Sequence, residues 1–308
     1  MLKKALIPLS LLAVAVALSG CPEVFVPTGM VSTNGIIIKD FSFDYSPIYT
    51  GESIGLTLTL QNVGGEIGTL KEIDVFGVDA PSSTAGNLTW GYGTSAFNLT
   101  INQELLPPDT STGFEGEEYF QEWIPESPQG IRAPTDYDFQ VRAKYLYSTT
   151  FTGKIMVVDN DYLRSLPSDE REALVKVGGV QDASVTGGPL SLTAATGSHF
   201  IVRSGDTEQT RSIKFKINNV GSGFPYAMEG YSVQALHYVN VTDYQGDITC
   251  TLGGVKLSRG KTGVISCDFT APAHGSFTNK IDKMFTVKLD YGYYVDSATS
   301  ITVNPIFY

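Results

Sequence analysis

The sequence predicts an all-β protein: two tandem β-sandwich domains joined by a short helix. Three observations predict it. Apolar residues alternate with polar ones along most of the chain, as in half-buried strands. Gly, Asn, Pro and Asp punctuate these runs at spacings of about 8 to 12 residues, the rhythm of a sandwich. One strand-and-turn pattern is also written twice, in the same order.

In Ser53–Gln61, Ile54, Leu56, Leu58 and Leu60 share one face, and the run stops at Asn62-Val63-Gly64-Gly65. Asn and Gly supply the positive φ values such a turn needs. The stretch Ser212–Asn218, with Ile213, Phe215 and Ile217, alternates the same way and stops at Asn219-Val220-Gly221-Ser222. Further on, Phe139-Gln140-Val141-Arg142-Ala143-Lys144-Tyr145-Leu146-Tyr147 matches Phe285-Thr286-Val287-Lys288-Leu289-Asp290-Tyr291-Gly292-Tyr293 at an offset of 146 (141 to 287), which holds as far as Val157 and Val303. The Asn-Val-Gly offset is 157 (62 to 219), so the first copy carries 11 more residues between the two landmarks. Two diverged copies of one domain account for this. Each copy is expected to end in two alternating strands around a short turn, with Phe139, Val141, Ala143 and Tyr145 inward in the first.

The expected boundaries are a first sandwich over 35–161, a helical linker over 162–183 and a second sandwich over 184–308. Each copy is long enough for its own core, so independent folding is expected. In the linker, Ser168 caps a helix, Asp169 and Glu170 occupy the first turn where the macrodipole favours carboxylates, and Gly178-Gly179 ends it. Ala173, Leu174 and Val177 give it one apolar face, expected to pack across the domain junction.

At the N-terminus, Lys3 and Lys4 precede an apolar run from Ala5 to Leu18. The run is shorter than the roughly 20 residues a spanning helix needs, and residues 1–20 read as a secretory signal. Residues 21–34, with Pro22, Pro27 and Gly29, read as a tether. The chain has three cysteines, Cys21, Cys250 and Cys267. Leu18-Ser19-Gly20-Cys21 resembles the lipobox of prokaryotic lipoproteins, and the resemblance implies lipid on the Cys21 thiol; the alternative is a plain secretory signal. If Cys21 is lipidated, Cys250 and Cys267 remain as an even pair, read as a disulfide in an exported chain rather than two free thiols. A bridge over so short a loop is worth about 3 kcal/mol on the chain-entropy estimate.

The strand–Asn-Val-Gly turn, with the segments Thr249-Cys250-Thr251-Leu252-Gly253-Gly254 and Cys267-Asp268-Phe269-Thr270-Ala271-Pro272, resembles the CARDB-like and related immunoglobulin-like modules of prokaryotic, especially archaeal, surface proteins. The resemblance implies an immunoglobulin-like sandwich, a surface location, and adhesion or assembly as the role. Fold-level likeness alone does not fix a function.

Composition narrows the classes. Hydrophobic residues at 42% can fill real cores, and a net charge of −11 argues against nucleic acid as a partner. His199, His237 and His274 stand apart, without the spacing of a catalytic zinc helix, and are read as surface or turn residues rather than ligands. There is no Gly-x-Ser-x-Gly elbow and no phosphate-cradling loop. No enzyme activity and no cofactor are therefore expected. Asp159-Asn160-Asp161 places alternate oxygens where Ca²⁺ could sit between domains, against the simpler reading of a polar turn. Glu115, Glu117 and Glu118 read as a solvated loop. Asn87, Asn98 and Asn240 head acceptor sequons for glycosylation. The aromatics of Trp90-Gly91-Tyr92 and Phe224-Pro225-Tyr226 belong either to the core or to an exposed binding surface.

The reading that follows is a non-catalytic structural, adhesive or scaffolding lipoprotein on the extracellular face of the cell membrane. Its expected partners are the membrane, through the lipid, and a protein or glycan at the surface, a second copy of the chain included. The alternative is a lipoprotein that binds carbohydrate or peptide through its loop aromatics.

Overall fold

The computed structural model describes residues 34–76, 90–91, 97–176, 179–195, 200–228, 232 and 235–306; Cys21, Asn87, Tyr92, Val177, Gly178 and His199 lie outside the described residues. The first half contributes β1 (Ile36–Phe43), β2 (Ile48–Tyr49), β3 (Leu56–Asn62), β4 (Gly68–Phe76), β5 (Asn98–Leu105), β6 (Glu118–Trp123) and β7 (Thr135–Asp159). Two helices follow, α1 (Asn160–Ser165) and α2 (Ser168–Lys176). The second half contributes β8 (Val180–Val185), β9 (Leu190–Ala195), β10 (Phe200–Val202), β11 (Gln209–Asn219), β12 (Phe224–Tyr226), β13 (Tyr238–Gly246), β14 (Ile248–Cys250), β15 (Gly253–Lys256), β16 (Thr262–Ala271) and β17 (Lys280–Asn304). Among the described residues the protein is all-β apart from the two helices, and its strands pair almost entirely antiparallel.

Three sheets form. A three-stranded sheet has the order β1-β3-β6, and a four-stranded sheet the order β14-β16-β11-β9. A ten-stranded sheet runs β15-β13-β17-β7-β4-β5, with β2, β8, β10 and β12 attached to β7 or β17. The sequence's period of two sets the faces. Leu56, Leu58 and Leu60 of β3 and Ile213, Phe215 and Ile217 of β11 are buried, with the intervening residues half-buried or exposed.

The expected hairpin at the end of each copy does not form. β7 and β17 are each one continuous strand of 25 residues, roughly 80 Å at about 3.3 Å per residue. They pair antiparallel without a break from Lys280↔Val158 to Val303↔Thr135. Odd-numbered residues of β7 face inward from Tyr137 to Asp159, so both smaller sheets cover the same face of the large one. β4 pairs with the first half of β7, up to Leu146, whereas β13 pairs with the first half of β17, up to Asp290. Each sandwich is thus completed by the far half of the other copy's long strand. Phe151, from the first copy, packs in the second core against Phe215 (5.3 Å between ring centroids) and Phe285 (5.8 Å). Reciprocally, Val303 and Asn304 pair with β2 of the first copy.

Repeat and register meet at one point. Leu146 repeats 146 positions later as Gly292, and Leu146 also pairs with Gly292. A local two-fold axis through this pair relates the copies. The expected separate domains at 35–161 and 184–308 are therefore replaced by an interlocked pair: Val31–Tyr308 forms a single compact unit, and one hydrophobic cluster includes residues from both copies.

Four tyrosines surround the axis on the inward face. Tyr145 lies 5.7 Å from Tyr293 and Tyr147 6.3 Å from Tyr291, between ring centroids. Their hydroxyls explain the repeated Asn-Val-Gly motif. Tyr147 accepts a hydrogen bond from the Glu66 N–H (3.0 Å) and donates to the Gly187 carbonyl (2.9 Å), whereas Tyr293 donates to Asn219 Oδ1 (2.8 Å). Asn62 Nδ2 staples its turn to the carbonyls of Glu66 and Leu105, and Asn219 Nδ2 does the same with Gly223 and Gly260. A β-carbon at Gly64 would collide with the Tyr147 hydroxyl, and one at Gly221 with that of Tyr293. The motif makes room for the tyrosine of its own copy.

The helices cap the ribbon instead of bridging two domains. Met156 and Val158, on the outward face of β7, pack with Leu163, and Tyr162, Leu166 and Leu174 close around them. Of the apolar face expected on α2, Leu174 is partly buried and Ala173 is exposed.

The architecture generates three predictions. Fragments 34–162 and 184–308 are each expected to fail to unfold cooperatively alone, because each leaves a long strand unpaired, and to recover sheet-type circular dichroism when mixed in equal amounts. Cooperative unfolding of either fragment alone would reverse this. The second concerns alkali. Burial pushes the Tyr147 hydroxyl up to about 12 from its ordinary value of 10.0, and raises Tyr145 and Tyr291 well above theirs. Above pH 10 the unfolded chain therefore sheds tyrosine protons that the folded chain keeps, so this contribution is complete below pH 10 and is lost as pH rises toward 12. Tyrosinate absorbance of the buried hydroxyls should appear only together with loss of sheet signal. Tyr147→Phe should cost about 1–3 kcal/mol by stranding the Glu66 N–H and the Gly187 carbonyl.

Candidate functional site

Cys250 and Cys267 are register partners on β14 and β16, with Cα atoms 4.1 Å apart, and they form a disulfide. The bridge staples neighbouring strands at the end of the four-stranded sheet, with both residues buried in the second core.

On the outward face of the large sheet, Lys144 of β7 pairs in register with Glu72 of β4, and Asp74 lies two residues along on the same face. The Lys144 ammonium contacts Glu72 Oε2 at 2.8 Å and Asp74 Oδ2 at 2.6 Å. Burial pulls the Lys144 ammonium down, but the hydrogen bonds from Asp74 and Glu72 more than offset it and leave it above its ordinary value. Lys144 and Glu72 form one side of a shallow cleft of about 470 Å³, lined also by Lys71, Asn102, Tyr226 and Met228. Lys71 donates in turn to Asn102. Within this cleft the charge of Lys144 is thus paired with Glu72, and Lys71 is hydrogen-bonded to a neutral amide. The sequence signal for the trio is slight: two acids at i and i+2 on one strand.

The loop aromatics divide differently from the binding expectation. Trp90 is 1% exposed and packs edge-on against Phe139 and Tyr137. Tyr226 is 3% exposed, its ring lying over Gly292 at the two-fold axis. Both are core residues. Phe224 is half-buried, between His237 and Tyr294.

Asn98 begins the end strand β5 and is exposed, as is Thr100. Asn240 is half-buried in β13, between β15 and β17, with its Oδ1 near Gly254. Of the two described sequons, only that of Asn98 is presented on an exposed strand end. In the acidic run, Glu118 pairs with Lys39 and Glu117 accepts from the Leu106 N–H, which ties the loop to the sheets.

Asp159-Asn160-Asp161 is a helix start rather than a plain turn. Asp159 is 8% exposed, and its Oδ1 accepts from the N–H groups of Asp161 (2.8 Å) and Tyr162 (3.1 Å), capping α1. Its Oδ2 lies 3.2 Å from His274 Nε2, and Asp161 Oδ2 lies 3.9 Å from the same nitrogen. His274 stands in the loop between β16 and β17, where its N–H donates to the Asp206 carbonyl (3.0 Å) and the Asp159 N–H donates to the Asn279 carbonyl (2.8 Å). Sequence reasoning missed this histidine, more than a hundred residues from its partners, because no spacing rule reaches across the fold. His237 sits instead against Phe224, at φ +67°.

No known family model matches the chain, and no curated protein matches it. Among solved structures, a protein of unknown function from Porphyromonas gingivalis W83 is similar at 10% identity over 77% of this chain and 83% of its own, with a TM-score of 0.18. The CupB6 tip adhesin of Pseudomonas aeruginosa is similar at 9% identity over 88% of this chain and 99% of its own, with a TM-score of 0.17. The collagen adhesin of S. aureus is similar at 9% identity over 90% and 94%, with a TM-score of 0.11. At such TM-scores these similarities carry no argument about this chain.

The disulfide gives a direct prediction. Alkylation of the unfolded chain should leave Cys250 and Cys267 unmodified until reductant is added, read by intact mass. Reduction should lower stability by about 3 kcal/mol. Alkylation of either thiol without reductant would reverse the assignment.

Proposed function

We propose that this chain is a lipid-anchored, exterior-facing lipoprotein that acts as a non-catalytic structural or adhesive surface module, of the CARDB-like kind that its doubled strand–Asn-Val-Gly landmark resembles. The observation that carries the choice between surface module and ligand binder is the burial of Trp90 and Tyr226. Aromatics committed to the core cannot stack on a sugar ring, and the Lys144 ammonium at the outward cleft is already held by Glu72 and Asp74. The sheet surfaces and end strands, Phe120 of β6 among their exposed residues, are then what a partner meets.

Three further features support an exterior setting. The signal-like residues 1–20 lead to Leu18-Ser19-Gly20-Cys21, the Cys250–Cys267 bridge suits an oxidising compartment, and the net charge of −11 suits a solvated exterior. The interlocked copies support a mechanical role, because separating the two copies requires breaking the whole β7–β17 ladder.

The anchor is tested at Cys21. Replacing it, Cys21→Ser, should move the protein from the detergent phase to the aqueous phase in phase partitioning of cell membranes, with the folded part unchanged by circular dichroism. Unchanged partitioning would mean that another element holds it, and the lipoprotein reading would fall.

A further inference from the structure

We propose that Asp159, Asp161 and His274 form a binding site for a divalent first-row transition cation, with zinc the best fit. The side chains come from the end of β7, the first turn of α1 and the β16–β17 loop, and their donor atoms all lie within 4.8 Å of one another. The proposal stands apart from the surface-module reading and does not depend on the lipid anchor.

The reason for a cation is a shortage of protons. An imidazole Nε2 carries at most one hydrogen and satisfies one acceptor. Here Asp159 Oδ2 stands within hydrogen-bond reach of that nitrogen at 3.2 Å, and Asp161 Oδ2 lies just beyond it at 3.9 Å, so the one proton cannot serve both. Asp159 is more than nine-tenths buried and has already committed Oδ1 to the α1 amides, so Oδ2 is the atom it offers to the cluster. A shared divalent ion in place of the Nε2 proton satisfies all three donors and removes the repulsion between the carboxylates.

The donor set selects the ion. Zinc bonds of about 2.0–2.1 Å in a tetrahedral site place neighbouring donors about 3.4 Å apart, and the separations of the two carboxylate oxygens from Nε2 bracket that value. One imidazole with two carboxylates suits borderline cations, whereas Ca²⁺ prefers six to eight oxygens and has little use for a nitrogen. The calcium reading of Asp159 and Asp161 is thereby revised, with His274 as the deciding ligand. Asp161 is exposed and His274 partly so, and an ion can therefore enter from solvent and keep water in its fourth position. Bound there, it would tie the β16–β17 loop to the end of β7, where the long ribbon finishes.

The experiment uses the full chain stripped with EDTA and titrated with Zn²⁺ against a chromophoric chelator, with Co²⁺ and Ca²⁺ titrated separately. One equivalent of Zn²⁺ should bind and raise the melting temperature, Co²⁺ should give the intense visible bands of a low-coordinate site, and Ca²⁺ at the same concentration should do neither. His274→Ala should weaken zinc binding by roughly tenfold or more, a loss at least as large as that for disturbing an outer-shell partner. Asp161→Asn should do the same, and it keeps the backbone N–H that Asp159 caps, so it separates ligand loss from misfolding. His237→Ala and His199→Ala should bind as the parent does. Absence of saturable zinc uptake overturns the proposal. So does uptake that survives both ligand variants, uptake lost only in the His237 or His199 variants, or a preference for Ca²⁺ that His274→Ala leaves intact.

Discussion

The unbroken register between β7 and β17 is the constraint on which the rest of the structure depends. An antiparallel ladder of this length tolerates no slip, because a one-residue shift would turn every inward side chain outward. Tyr137, Phe139, Val141, Tyr145, Phe151, Ile155 and Val157 would all leave the core together. Since the inward face never changes along β7, the smaller sheets must lie on one side of the ribbon, one over each half. The position of every other strand follows from that.

At the middle of the ribbon the structure solves a local problem twice. Bulky, polar-tipped tyrosines fill the space between the two cores, where burying an unsatisfied hydroxyl would cost on the order of 1–3 kcal/mol. Each copy answers with an Asn-Val-Gly turn: the glycine clears space, and the amide nitrogen of the asparagine ties the turn to neighbouring carbonyls. Three of the four hydroxyls find partners, which differ in detail, and that of Tyr145 is buried without one among the described residues. Tyr147 reaches the Glu66 N–H and the Gly187 carbonyl, Tyr293 reaches Asn219, and Tyr291 shares a hydrogen bond with Thr149 (2.7 Å). Gly187 belongs to the second half of the chain, so this bond also crosses between the copies.

The candidate cation cluster and the disulfide show how differently two sites can be read from sequence. Cys250 and Cys267 were legible because cysteine parity is a property of composition and their separation is short. Asp159 and Asp161 were legible as alternate oxygens, but their role as a helix start was not, and His274 gave no signal. Its approach depends on the end of β7 meeting the loop before β17, which the long ladder dictates. Trp90 and Tyr226 point the same way: their sequence neighbours suited either a loop or a core, and only packing around Phe139 and Gly292 decided it.

The sequence by itself determined that the chain is all-β, where several of its strands lie, which face of those is apolar, and that one unit is written twice. Those properties are local: a period of two specifies a strand and its inward side without reference to any partner. Only the tertiary structure decided that the copies interlock. The stretch from Ser148 to Gly153 contains residues that could have turned, and nothing near it in sequence says otherwise. The outcome rests on a ladder of hydrogen bonds and a row of buried aromatics supplied by a strand 146 residues away. Backbone edges are chemically alike at every position, so the choice of partner is made by the packing of whole faces.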